Sequence, residues 1–394
     1  MWPSVSYETR EWKRDPDELA LIPRSRRRKI LPTYEASIPA EIARQTLNLP
    51  PELERFIAEV QVAIARFDEA QNSRDYSLPA LLLRSESSSS SQIERLTSSV
   101  RNVALAELSD KAPANALLIA GNVAAMREAL GQTGPVSAAS IYSLHGTLMS
   151  TAEENEGPRK EQVWIGGSPY SPHGAFFVPP DATRVPNCLN DLILFGKRED
   201  ISPVAKAAIF HAQFETIHPF TDGNGRTGRA LLHRMLANDG VLLHSTLPVS
   251  AGLLHDTERY MKALDAYHEG EVEPIITCLA DALELATVIG SRIAKDVDTV
   301  LGNWRDLNTD RRGSASHALP TLLVKQPVVN TAYVAKHLFI SERAARTIIE
   351  AACERGILSK IGNAKRGAFY QANELIEVLE DASSLQGIRR IAAR

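Results

Sequence analysis

The chain has 394 residues, with 44 Lys+Arg against 48 Asp+Glu for a net charge of −4, and 44% of it is hydrophobic. At roughly 150 residues per domain this makes two or three folding units with apolar mass for more than one core, and the near-neutral balance argues against a wholesale polyanion binder. No run reaches the ~18 consecutive apolar residues of a membrane span, Met1-Trp2-Pro3-Ser4 starts no signal-peptide core, and Cys188, Cys278 and Cys353 are too scattered for a disulfide framework or zinc knuckle. Together these predict a soluble chain with no membrane partner, suited to the reducing cytoplasm.

Residues 1–30 read as irregular, punctuated by Pro3, Pro16 and Pro23, and carry the basic run Arg24 to Lys29. The reading for that run is a solvated tail or a clamp onto acidic side chains, with nucleic acid or lipid contact as the alternative. After Pro50-Pro51 the apolar residues Leu53, Phe56, Ile57, Val60, Val62, Ile64 and Phe67 recur at mostly helical spacing as far as Asn72-Ser73. A second helix starts near Pro79 and enters the serine cluster Ser87 to Ser91. Leucines before it and Ile93 and Leu96 after it mark an ordered, packed segment rather than a low-complexity linker. Further helices are predicted over 114–130 and 137–149. Val163-Trp164-Ile165-Gly166-Gly167 and Ala175-Phe176-Phe177-Val178 then read as two short strands around a loop. Helices resume over 187–195, 202–217, 227–238 and within 256–289.

The stretch His211 to Arg229 carries the chemistry. The helix before it would bury Val204, Ala208, Ile209, Ala212 and Ile217. Pro219 forbids its continuation, so His218 falls at the helix end. Asp222-Gly223-Asn224-Gly225 permits positive backbone angles, and a new helix starts near Arg226. A glycine turn entering a helix aims several backbone N–H groups at one point, which suits a phosphate. Arg226 and Arg229, three residues apart, can share one polyphosphate as charge-assisted donors. Asp222 at the mouth can hold Mg²⁺, and His218 is the group there suited to general base work near neutrality. Three rivals fit less well. Arg226 stands where an EF-hand needs a ligand; Pro219 and the glycines break the single helix that would align His211, Glu215, His218 and Asp222 on a metal; and a plain polar turn needs neither two glycines nor two arginines.

The run His218-Pro219-Phe220-Thr221-Asp222-Gly223-Asn224-Gly225-Arg226-Thr227-Gly228-Arg229 resembles the Fic-domain signature HPF-x-D/E-GNGR-x-x-R at every fixed position. The resemblance implies a mainly α fold with a helical Fic core. It also implies transfer of a nucleoside monophosphate, usually AMP from ATP, onto a protein hydroxyl. By that likeness His218 is the base, Phe220 anchors the loop and Asp222 takes Mg²⁺. Gly223, Asn224 and Gly225 cradle the α- and β-phosphates, Arg226 completes the phosphate site and Arg229 holds the γ-phosphate. Trp164, Ile165, Gly166 and Gly167, through to Phe177-Val178-Pro179-Pro180, resemble the β-hairpin flap on which a target segment docks through its main chain. Ser90-Ser91-Gln92-Ile93-Glu94 is similar to the inhibitory motif S/T-x-x-x-E-G/N, with Arg95 in place of the final Gly or Asn. The likeness implies that Glu94 pairs with Arg229 and blocks productive γ-phosphate binding. The segment 38–84 is similar to the N-terminal helical extension of such proteins.

Between Arg311 and Arg394 there are 13 Lys/Arg and 7 Asp/Glu, a net +6 in a chain of net −4. Leu322 to Tyr370 reads helix, helix, hairpin: Ala332 to Leu338, a turn at Phe339-Ile340, a helix capped by Ser341, a stop at Gly356, then two short strands around a basic loop. This resembles a winged helix-turn-helix. As a DNA reader it would present Arg343 and Arg346 to the major groove and Lys365 and Arg366 to phosphate; as a docking or dimerisation module it would not.

The expected organisation is an irregular segment at 1–30, an N-terminal helical extension with the inhibitory segment at 31–112, a Fic catalytic core at 113–300 and a winged helix-turn-helix at 315–380. The expected activity is an ATP- and Mg²⁺-dependent protein adenylyltransferase, autoinhibited by Glu94, with a protein substrate and auto-modification. The alternatives are a DNA-binding regulator whose core senses nucleotide, and an AMP-removing enzyme in which Glu94 positions water. DNA and a second copy of the chain complete the expected partners.

Overall fold

The computed structural model describes residues 2–12, 22–72, 74–149, 157–363 and 367–393. Contrary to the irregular start read from its prolines, the chain opens with a strand, β1 (Ser6–Glu11). A single turn, α1 (Arg24–Arg27), follows, and then β2 (Thr33–Ile38), antiparallel to β1 with Ser6 opposite Ile38. Arg24, Arg28 and Lys29 of the basic run are exposed, the solvated reading.

Helices build the rest of the first half. α2 is Pro51–Asn72 and α3 is Leu78–Ile93, which runs through the serine cluster; α4 (Val100–Ala106) was not anticipated. α5 (Ala114–Gly131) and α6 (Ala138–Leu148) match the predicted helices to within a residue or two. All five serines from Ser87 to Ser91 are buried, so the cluster is a packed helix rather than a linker. Small side chains let α3 lie close to α5 and to α10 (Val249–His255), a helix the sequence reading missed. Its neighbours in the chain are α7 (Val185–Gly196), α8 (Pro203–Ile217), α9 (Asn224–Asn238) and α11 (Thr257–His268).

The longest helix is α12 (Glu273–Leu307), with 35 residues where the prediction stopped near Ile289. By length and composition alone it passes the test for a membrane span, with an 18-residue window averaging 1.4 in mean hydropathy. Counting uninterrupted apolar runs misses this, since polar residues punctuate the helix. Its apolar stripe, from Ile275 to Trp304, is buried against α2, α8, α10 and α11, as in a core helix.

Beyond it lie α13 (Leu319–Lys325), β3 (Val328–Asn330), α14 (Thr331–Leu338) and α15 (Glu342–Glu354). β4 (Ser359–Ile361), β5 (Phe369–Gln371), α16 (Asn373–Ser383) and α17 (Leu385–Ala392) close the chain. The strands form an antiparallel sheet in the order β3-β5-β4. Asn330 caps α14 through the Tyr333 N–H at 2.8 Å, Phe339 turns the chain at φ 55°, and Ser341 caps α15 through the Ala344 N–H at 3.2 Å. The change in charge composition from Arg311 onward is not a packing border. α16 lies on α3 and α12, α17 on α10 and α12, and one apolar core runs from Trp2 to Ile391.

α3 therefore sits between two groups of helices. Its buried Arg84 donates to the Lys325 carbonyl at 2.9 Å, to Gln326 Oε1 at 2.8 Å and to Glu107 at 2.5 Å. Gln92 donates to the Ser383 carbonyl at 2.9 Å. On the other side, Glu86 is fully buried, accepts the Ser250 N–H at 2.7 Å and lies 3.2 Å from His233 Nε2 on α9.

Candidate active site

The site forms where α8 ends and α9 begins. Pro203 opens α8, and Ser202 caps it through the Ala205 N–H at 3.4 Å. The helix ends on His218, which takes a left-handed conformation at φ 48° because Pro219 cannot continue the ladder. Gly223, at φ 77°, turns the chain into α9 in a backbone region that costs glycine little. The first-turn N–H groups of α9 have no intrahelical acceptor, so the turn carries a patch of positive potential.

The loop between the helices is closed from within. The Asn224 side chain accepts the Phe220 N–H at 2.9 Å and donates to the Phe220 carbonyl at 2.8 Å. The cradle assigned to Gly223, Asn224 and Gly225 is thus restricted at Asn224 to its backbone: the carboxamide is buried and committed to Phe220. The Phe220 ring is fully buried and stacks on His145 with centroids 3.6 Å apart and planes 3° from parallel. His145 Nε2 lies 3.0 Å from the Asp222 carbonyl, which fixes the far side of the loop.

His218 Nδ1 lies 3.3 Å from the Glu215 carbonyl. A carbonyl can only accept, so Nδ1 holds the proton and Nε2 keeps the lone pair. Burial, then the nearby Arg159 guanidinium, lowers the His218 pKa to about 4, so the imidazole is neutral at pH 7. Arg159 donates through Nε to the His218 carbonyl at 2.8 Å.

Two arginines rise from the first turns of α9. Arg226 is buried, with one guanidinium nitrogen 3.2 Å from Asp222 Oδ2 and with Nε and Nη1 lacking partners. Arg229 donates through Nε to Ser90 Oγ at 2.8 Å and through Nη2 to the Ser90 carbonyl at 2.8 Å and to Glu94 Oε1 at 2.9 Å. The Glu94 carboxylate lies against Gly225, where an added Cβ would stand 2.0 Å from Oε1. An anionic group from α3 therefore already sits in the mouth of the helix N-terminus. Glu94 is the C-cap of α3, and the following Arg95 turns away at φ 62°, a left-handed conformation that Gly or Asn adopts more readily. Burial works against the Arg229 charge, but Glu94, Tyr260 and Glu215 outweigh it and its pKa rises. Behind it Glu215 is pushed up to about 8 by burial, and His211, bonded to the Tyr260 hydroxyl at 2.7 Å, is lowered by burial to about 3.

Asp222 projects a side chain that is 67% exposed, with Oδ1 accepting the Gly223 N–H at 2.6 Å. Among the described residues no three His, Cys, Asp or Glu side chains gather as a metal cage. A lone exposed carboxylate beside a phosphate-type turn does fit Mg²⁺, which takes few protein oxygens and completes its shell with phosphate and water.

The flap differs from the two strands expected. Gly166 and Gly167 both turn at φ 74°, and the ladder is reduced to single bridges, Ile165 to Phe177 and Ser168 to Ser171. Ile165 is exposed, Phe176 lies over Gly166 and is itself 89% exposed, and the Trp164 indole donates to the Ser168 carbonyl at 2.7 Å. The base of the flap rests on the N-terminal strands, with the Ser37 N–H donating to the Val178 carbonyl at 3.0 Å and Trp12 packed edge-on to Trp164. Sequence reasoning missed Arg159, His145 and this support. The pattern held no signal for the first two, whose partners are mostly backbone carbonyls and rings. Arg343 and Arg346 are exposed on α15, while Lys365 and Arg366 lie outside the described residues.

Residues 135–236 match the model of the Fic/DOC family. This segment is a Fic domain. The chain is 35% identical over 138 residues to a probable protein adenylyltransferase of Aquifex aeolicus, covering 35% of this chain and 38% of that one. It is 28% identical over 144 residues to the protein adenylyltransferase Fic of Nematostella vectensis, covering 36% of this chain and 31% of that one. The chain thus spans about a third of the length of these curated relatives. The crystal structure of a Fic family protein from Desulfovibrio desulfuricans superposes with a TM-score of 0.55 at 22% identity, over 83% of this chain and 97% of that one. The fold likeness therefore reaches well beyond the Fic domain.

Proposed function

We propose that the protein transfers AMP from ATP to a hydroxyl side chain of a protein, its own chain included. The observation that carries this is the pairing of a neutral His218, its Nε2 lone pair free, with the N-terminus of α9 and its two buried arginines. In this reading His218 Nε2 takes the proton as the hydroxyl oxygen bonds to the α-phosphorus and the bond to the bridging oxygen breaks, releasing pyrophosphate. The amides of the α9 first turn and the unpartnered nitrogens of Arg226 hold phosphate oxygens. Asp222 would hold Mg²⁺, which spreads charge over the phosphates. Arg229 would bind the γ-phosphate once it is free of Glu94, so the Glu94 contact is a brake, supported by its 2.9 Å approach.

Mass spectrometry after incubation with ATP and Mg²⁺ tests the reading. An AMP adduct on Glu94→Gly and none on Glu94→Gly/His218→Ala is expected; no adduct on either, with any protein target supplied, refutes it. Release of AMP from a modified protein, lost on changing Glu94, would instead mark the reverse chemistry.

A second reading concerns the C-terminal sheet and helices, which we take as a winged helix-turn-helix that binds DNA. Its support is the exposure of Arg343 and Arg346 at the start of α15, beside the turn at Phe339. Retardation of random-sequence DNA at low salt, reduced by Arg346→Ala, is expected; no retardation at low salt rejects it.

A further inference from the structure

Arg159 is a charged side chain only 5% exposed, and among the described residues no carboxylate lies within ion-pair distance of it. All of its hydrogen bonds go to backbone carbonyls. Nε donates to His218 at 2.8 Å, Nη1 to Glu161 at 3.0 Å, Nη2 to Pro180, and its own amide to Pro219 at 2.8 Å. The carbonyls belong to two places: Glu161 and Pro180 flank the flap, one before and one after it, while His218 and Pro219 form the turn that presents the imidazole. A planar guanidinium can hold three carbonyls at fixed angles, which neither an ammonium nor a neutral amide can do. Burying an unpaired charge is costly, so the fold keeps it against a penalty.

We propose that Arg159 is a positioning residue that sets the register between the flap and the His218 imidazole. A peptide lying along the flap then brings its hydroxyl to Nε2. The proposal rests on the transferase reading for the identity of that peptide, but the linkage itself does not. Arg159 donates only to backbone carbonyls, so it acts through His218 and the flap rather than on substrate. Its charge also faces His218, alongside the carboxylates of Glu94 and Asp222, which act in the opposite sense.

The test labels histidine and tryptophan side chains for NMR in the full chain. The His218 signal is assigned with His218→Ala, and Trp164 reports the flap. In Arg159→Gln both signals should move, and His218 should titrate higher than in the parent. In Arg159→Lys, which keeps the charge and loses the fork, both signals should move while the titration stays low. In the Glu94→Gly background kcat for AMP transfer should fall about 10- to 100-fold in both variants, with KM for ATP changed less than about 2-fold. Signals of His218 and Trp164 superposing on the parent in a folded Arg159→Gln overturn the proposal. If that variant does not fold, an unmoved Trp164 signal in Arg159→Lys does so. If Glu94→Gly itself transfers nothing, the transferase reading fails while the NMR result still decides the role of Arg159.

Discussion

Removing the Glu94 carboxylate should raise the affinity for Mg²⁺-ATP, by an amount the geometry bounds. Glu94 makes one charged hydrogen bond to Arg229, at 2.9 Å, while two further bonds from Arg229 go to Ser90. A charge-assisted bond contributes about 1.5–3 kcal/mol when buried. The Glu94 side chain is 36% exposed, so solvent screens it and reduces the contribution to about 1–2 kcal/mol, around and below the lower end of that range. A phosphate that must displace the carboxylate recovers this amount when the carboxylate is gone, which corresponds to an affinity gain of about 5- to 30-fold. Calorimetric titration of the parent, Glu94→Gln and Glu94→Gly is the assay. Glu94→Gln keeps a neutral acceptor for Arg229 and should gain part of the increase; Glu94→Gly should gain all of it. Because the interaction is electrostatic, the difference should narrow at high salt. Equal affinities across the three proteins would refute the competition between Glu94 and phosphate.

Other outcomes follow from the same geometry. His218→Ala should lower AMP transfer at least about 100-fold with ATP affinity unchanged; a variant that keeps more than a tenth of the rate would remove His218 from the chemistry. Because His218 is lowered to about 4 and acts unprotonated, the rate should stay level from pH 7 down to about 5 and fall only near pH 4; a limb near the ordinary histidine pKa, about 6.5, would contradict this. Phe220→Ala empties a fully buried site stacked on His145 and should cost about 3–5 kcal/mol in denaturant unfolding; a loss under about 1 kcal/mol would show that the loop holds without its anchor. Glu215 is held protonated in the fold up to about pH 8, whereas an unfolded glutamate ionises near 4.5. Stability therefore falls as pH rises from about 4.5 toward 8, and Glu215→Gln should flatten that slope; parallel melting curves for the two proteins would sink the assignment.

The turn after His218 was legible because everything it needs is contiguous: a proline to stop one helix, glycines to turn and arginines to open the next. The serine cluster was legible for a similar reason, since leucines flank it and hydroxyl side chains small enough for close packing fill it. Contacts across long separations were not. β1 and β2 pair across more than 20 residues punctuated by prolines, and nothing local in Ser6–Glu11 names its partner. Arg159 looks like any surface arginine until its four carbonyl partners, up to 60 positions away, are brought together. The flap strands failed for the opposite reason: the short apolar runs were present, but Gly166, Gly167 and Gly174 at positive φ cut the ladder to single bridges. The charge count placed a border at about Arg311, yet charge is a surface property, and the apolar faces of α13 and α16 pack across it.

Arg84, Ser85 and Gln92 on α3 are held by residues numbered above 320, while Glu86, Ser90 and Glu94 on the same helix are held by residues between 229 and 250. One four-turn rod is thus gripped at both flanks by segments that a conventional domain cut would separate. A fragment ending at Arg312 would leave Arg84 with Glu107 as its one remaining side-chain partner and would bare the face that α16 covers. For this chain, dissection at the composition border removes one wall of the helix that carries Glu94, so a shortened protein and a Glu94 variant are not independent experiments.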